Sequence, residues 1–121
     1  MADLGLTHIA LTVRNLEASV AFYAKYARMV VVHRRAQEGI RVAWVTDHTR
    51  PFVIVLIEAP DQRDTPLGPF GHLGVGCESR AEVDRLCTEA SAEGRLRRGP
   101  TDSGYPVGYW AFIDRPRRQY A

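Results

Sequence analysis

Two histidines could do chemistry in this chain. His8 stands in Leu-Thr-His-Ile-Ala-Leu-Thr-Val, residues 6–13, and His72 in Phe-Gly-His-Leu-Gly-Val-Gly-Cys, residues 70–77. The two hold the same place in an altered repeat, 72 − 8 = 64 residues apart. Neutral imidazoles bind borderline divalent cations such as Mn, Fe, Ni or Zn, and a cation with an open position polarises a carbonyl or enolate oxygen. A lone strand histidine is more often only an exposed or satisfied side chain. A matched pair at a repeat offset raises the metal reading to parity with that plain one.

Each copy alternates large apolar residues with small or polar ones, as a strand does. Side chains on a strand point to opposite faces in turn. His8, Ala10 and Thr12 share one face, with Ile9, Leu11 and Val13 on the other. In the second copy His72, Gly74 and Gly76 lie opposite Leu73, Val75 and Cys77. Both histidines thus sit among small residues, on a face too empty for a packed core and suited to a cavity wall.

The repeat continues past the strands. Asn15 and Ser79 keep the same offset, and each precedes a helical pattern that its side chain can cap. Ser79-Arg80-Ala81-Glu82 fits a capping box, and Glu17 lies in the first turn of the earlier helix. Leu16, Val20, Tyr23 and Ala27 mark a helix over 16–27. Strands follow at 29–35, 40–46 and 52–57, separated by turns at 37–39 and 47–51. Residues 59–69 carry Pro60, Pro66, Gly68 and Pro69 and read as a linker. Past the second histidine strand, Val83, Leu86, Cys87 and Ala90 mark a second helix with Gly94 as its stop. Strands at 95–98 and 108–113 flank a loop at 99–107. The expectation is an α+β chain of two βαβββ modules, 4–58 and 70–121, within a single domain over 1–121.

Length and charge set bounds. A chain of 121 residues supports one domain, and a net charge of +2 is too small to argue for nucleic acid. The basic pieces at 95–98 and 115–118 lack interleaved aromatics and read as solvated arginines. No apolar run approaches the length of a membrane span, and 1–5 does not read as a signal peptide. Cys77 and Cys87 make no disulfide framework, so a reducing cytoplasm is expected. His33 and His48 read as surface histidines. Of Tyr105, Tyr109 and Trp110, Tyr109 is the better candidate to contact substrate, because it shares a face with small Ala111.

The histidine strands, Asn15-Leu-Glu-Ala-Ser-Val-Ala-Phe-Tyr, Leu56-Ile-Glu-Ala-Pro and Gly108-Tyr-Trp-Ala-Phe-Ile resemble, in order and spacing, the vicinal oxygen chelate superfamily. This is the glyoxalase, bleomycin-resistance and extradiol-dioxygenase group. The resemblance covers residues 4 to about 113. It implies a cup-shaped mixed sheet with His8 and His72 as metal ligands and a last-strand glutamate as the third. It also implies a homodimer acting on a small oxygen-bearing substrate as a lyase, isomerase or ring-cleaving dioxygenase. The alternative it carries is a metal-free, antibiotic-sequestering binder of the bleomycin-resistance type.

Two departures stand out. The glutamate and the turn before it are missing from 114–121, so the last strand reads as truncated or altered, with metal binding and activity in doubt. Read one base later, the codons open to those residues are compatible with the missing turn, as a frame-shifted terminus would be. Gene sequencing tests that. The glyoxalase I branch places a fourth ligand on the last strand of module one. Alignment puts Val55 there, three residues from Glu58, and Glu58 stays open as a weaker candidate.

Overall fold

The computed structural model describes residues 5–59 and 72–116. It divides into two compact units, one containing the described residues 5–59 and the other His72–Arg115. The linker expected at 59–69 falls, apart from Ala59, outside the described residues, as do Phe70, Gly71 and the tail from Arg117.

Unit one runs β1 (His8–Thr12), α1 (Leu16–Ala27), β2 (Val30–Gln37), β3 (Ile40–Thr46) and β4 (Val53–Glu58). Asn15 starts α1 as the sequence suggests, its Oδ1 accepting from Ala18 N at 3.0 Å. The strands form one mixed sheet in the order β1-β4-β3-β2. β1 runs parallel to β4, while β4 with β3 and β3 with β2 are antiparallel. A parallel pair needs a long crossover, and α1 with the β2–β3 hairpin supplies it.

One face of this sheet is the core. Leu11, Ala43, Val45, Ile54 and Leu56 pack with Leu16 and Tyr23 of α1 and with Met29. Leu56 is 0 % exposed and Leu16 1 %. Burial of a leucine contributes about 1.5–3 kcal/mol, and this cluster holds α1 on the sheet.

Unit two runs α2 (Arg80–Ala92), β5 (Leu96–Asp102) and β6 (Tyr109–Ile113), with β5 and β6 an antiparallel pair. Ser79 caps α2 by accepting from Glu82 N at 3.2 Å. The helix ends in a Schellman arrangement. Gly94, at φ +71°, donates to Ser91 O at 3.1 Å, and Arg95 N donates to Ala90 O at 2.8 Å. Leu86, Cys87 and Ala90 are its buried residues.

β5 reaches further than expected. It passes through Gly99 and Pro100 into the stretch read as a loop, with shifts of register between Leu96 and Arg98 and between Arg98 and Thr101. A strand tolerates proline where the ladder is irregular. Gly99 is required there, since a Cβ would stand 2.7 Å from Trp110 O.

The second difference concerns the histidine strand of module two. Residues 72–77 join no ladder among the described residues. Unit one supplies the reason. Its β1 pairs with β4, the last strand of the module, rather than with β3. The corresponding partner of 72–77 would follow β6, and no such strand occurs among the described residues. Leu73 and Val75 accordingly stand 38 % and 41 % exposed.

Candidate functional site

Register decides what surrounds His8. It pairs with Val53, Ala10 with Val55, and Thr12 with Ile57. Val55 pairs in turn with Trp44, and Ile57 with Val42. Trp44 pairs with His33 and Val42 with Arg35. Paired residues point the same way, so these side chains share the face opposite α1. His8, Ala10, His33 and Arg35 are exposed there. The sequence grouped His8 with Ala10 and Thr12 correctly, and this is the side that α1 leaves uncovered.

The His8 ring is oriented by its neighbour. Thr7 Oγ1 lies 2.9 Å from Nδ1. When Nδ1 carries the proton and donates to Thr7, Nε2 keeps its lone pair, as a metal ligand or general base requires. Sequence reasoning did not single out Thr7, because its parity sends the side chain to the other face unless it turns along the chain end.

Glu58 is not available on that face. It pairs with Arg41, and its parity is that of Leu56, on the helix side. Its Oε1 accepts from Leu16 N at 2.7 Å, and Arg41 Nη1 donates to Oε2 at 3.3 Å. The carboxylate thus closes the first turn of α1, where the helix dipole favours an anion. Val55, the position that matches the family's ligand, does lie on the His8 side, and it is an aliphatic residue without a donor.

Charge on the helix side is mutually satisfied. Arg34 and Arg41 both donate to Glu17, at 2.8 and 2.7 Å. The Arg34 hydrogen bond foremost holds the Glu17 carboxyl below its ordinary value.

In unit two the His72 ring meets Phe112 edge-on, with centroids 5.3 Å apart. Phe112 also contacts Trp110, whose Nε1 donates to Ser103 Oγ at 2.8 Å, and Arg98 lies over the indole. His72, Phe112 and Trp110 therefore share one side of β6. Tyr109 lies on the opposite side, against α2. Its hydroxyl donates to Asp84 Oδ1, and the Arg80 guanidinium stacks over its ring. The Asp84 hydrogen bond pushes the Tyr109 hydroxyl up from its ordinary value. Tyr109 does share a face with Ala111, but that face meets the helix, where a small residue makes room for α2. Tyr109, expected from the sequence to contact substrate, is engaged with Asp84 and Arg80 of α2 in this structure, and Trp110 and Phe112 are the β6 residues beside His72.

His33 and His48 are exposed, as expected. His33 is more than a bystander, since its ring lies 4.8 Å from that of Trp44. Tyr105 is wholly exposed. Neither Cys77 nor Cys87 is in a disulfide among the described residues, and burial pushes the Cys87 thiol up. No cluster of three or more His, Cys, Asp or Glu side chains able to hold a metal occurs among the described residues.

A family model, described as the glyoxalase/bleomycin resistance protein/dioxygenase superfamily, matches residues 5–116. The chain belongs to this superfamily. An uncharacterized protein of Pseudomonas aeruginosa is 36% identical over 117 residues, which are 95% of this chain and 84% of that one. Among solved structures, a possible glyoxalase from Bacillus cereus superposes with a TM-score of 0.68 at 21% identity, covering 94% of this chain and 92% of that one. A variant of the fosfomycin resistance protein FosX from Listeria monocytogenes, complexed with Mn(II) and 1S,2S-dihydroxypropylphosphonic acid, superposes at 0.67 with 16% identity. It covers 93% of this chain and 86% of that one. These structures establish the glyoxalase fold, α+β with a four-stranded mixed sheet and a second sheet. In this glyoxalase-superfamily chain no helix among the described residues is long and apolar enough to cross a membrane.

Proposed function

We propose that this protein is a glyoxalase-like enzyme for a small oxygen-bearing substrate, with His8 and His72 as imidazole ligands of a divalent cation. The observation that carries the reading is the placement of His8 on the sheet face away from α1, with Thr7 Oγ1 beside Nδ1. Two imidazoles suit Mn, Fe, Ni or Zn but fall short of the three protein ligands such sites use. Among the described residues neither Glu58 nor Val55 supplies the carboxylate. A cation bound there would polarise a substrate oxygen as a Lewis acid. The chain's own contribution is to aim Nε2 through Thr7 and to leave small residues, Ala10 and Thr12, beside it for substrate. Lyase, isomerase and dioxygenase chemistry all remain within this reading.

Metal titration tests it. Purified protein is stripped with EDTA, titrated calorimetrically with Mn, Ni and Zn, and compared with His8→Ala and His72→Ala. Each substitution should weaken binding by at least about tenfold, the loss typical of a disturbed ligand set. Binding that is unaltered in both variants would sink the proposal.

A metal-free binder is the second reading, favoured by the shortage of donors among the described residues. Undetectable metal binding together with saturable uptake of a small ligand would select it. We also infer a homodimer and a cytoplasmic setting. Multi-angle light scattering tests the first. Two cysteines outside any disulfide among the described residues support the second, since reducing compartments keep thiols from oxidising.

A further inference from the structure

Three side chains on the His8 side of the unit-one sheet serve neither the core nor the metal reading. They are His33, Arg35 and Trp44. Register sets them together, with His33 opposite Trp44 and Arg35 opposite Val42 one pair further along. The His33 ring lies 4.8 Å from the indole, and Arg35 Nη1 lies 3.5 Å from His33 Nε2.

Two of them, Trp44 and Arg35, are short of a partner. Trp44 Nε1 is enclosed and has no hydrogen-bond partner among the described residues. Buried N–H groups are nearly always paired, so an orphan of this kind needs a reason. Arg34 and Arg41 both reach carboxylates on the helix side. Arg35 has no carboxylate within reach among the described residues, and its one side-chain contact, to His33, is long.

The set has one chemical character. Indole N–H and guanidinium donate and cannot accept, and imidazole becomes a double donor when protonated. A cation finds no stable ligand set in such a group. An anionic oxygen finds a charge, a flat two-pronged donor and a desolvated N–H. The sheet neighbours on this side, Ala10, Thr12, Val42, Val55 and Ile57, carry no acid that could neutralise Arg35 internally. The exposed His33 ring lies beside the indole, at the rim of the group.

We propose that Arg35, Trp44 and His33 form an anion subsite that receives the phosphonate, phosphate or carboxylate end of a ligand. Trp44 lies two strands across and two residues along from His8, a Cα separation of about 12 Å. The subsite thus takes the remote end of a molecule whose oxygen-bearing end lies at His8. That second clause rests on the function proposed above, whereas anion binding itself does not.

The test uses the full chain stripped of metal with EDTA, titrated calorimetrically with inorganic phosphate, methylphosphonate and acetate. At least one should bind saturably, and their order identifies the headgroup. Arg35→Gln, a surface change, should weaken that binding by about tenfold or more, the worth of a charge-assisted hydrogen bond. Trp44→Phe keeps the ring and removes the N–H, and should weaken it several-fold with an unaltered circular dichroism spectrum. Absence of saturable binding for all three anions, or equal binding by wild type and Arg35→Gln, overturns the proposal. Because metal is absent throughout, failure here leaves the metal titration of His8 and His72 standing, and failure there leaves this result standing.

Discussion

Replacing Glu58 separates the two roles that its position allowed. In the structure its carboxylate is 24% exposed, accepts from Leu16 N at 2.7 Å and meets Arg41 at 3.3 Å. Leu16 is 1 % exposed, so water cannot readily replace the lost acceptor. A hydrogen bond to a charged group contributes about 1.5–3 kcal/mol. The half-exposed Arg41 adds up to about 1 kcal/mol. Glu58→Ala should therefore cost roughly 2–4 kcal/mol, and Glu58→Gln, which keeps an acceptor, about 1–2 kcal/mol. For a chain of this size the alanine variant should melt roughly 10 °C lower. Calorimetric melting of the three proteins measures this, and the EDTA-stripped metal titration is repeated on each. The expected pattern is graded instability with unaltered metal affinity. Lost metal affinity with an unaltered melting temperature would refute the reasoning, because it would make Glu58 a ligand rather than the closure of α1.

Three further outcomes follow from the geometry. Gly94→Ala should destabilise unit two by about 1 kcal/mol in urea unfolding, since Gly94 holds φ +71° where a Cβ is disfavoured. Glu17 is held below its ordinary value near 4.5, chiefly by Arg34, so its folded form binds protons less readily than its unfolded form. Its contribution is present above pH 4.5 and is lost as pH falls through the lower folded value, and Glu17→Gln should flatten the urea-midpoint profile in that acid range. The Tyr109 hydroxyl is raised above its ordinary 10.0 by the Asp84 hydrogen bond, and Asp84→Asn should bring one tyrosine of the ultraviolet titration back toward that value.

Much of the architecture was legible in local pattern. The bounds of α1 follow from Leu16, Val20, Tyr23 and Ala27 with Asn15 as cap, and the end of α2 follows from Gly94. These signals are local, because a helix cap needs only the residues within one turn. Alternation likewise showed that His8 travels with Ala10 and Thr12, and Tyr109 with Ala111. The 64-residue repeat placed the caps of both helices, Asn15 for α1 and Ser79 for α2. The extent of β5 was not legible, since Gly99 and Pro100 signal a loop in isolation. The strand continues because pairing with Trp110 and Tyr109 resumes beyond them.

By itself the chain determined which residues stand together on a strand, because side-chain direction has a period of two and needs no partner. It could not determine which side a helix would cover, and so it did not show that Tyr109 meets α2. Only the tertiary structure assigned Glu58 to the helix N-terminus and gathered His33, Arg35 and Trp44 around one spot. Both depend on register between strands distant in sequence, and register is set by how the whole sheet packs. The same reason separates the two histidine stretches. His8 lies in a ladder because β4 exists to pair with it, whereas 72–77 finds no such neighbour among the described residues, however strand-like its own residues are.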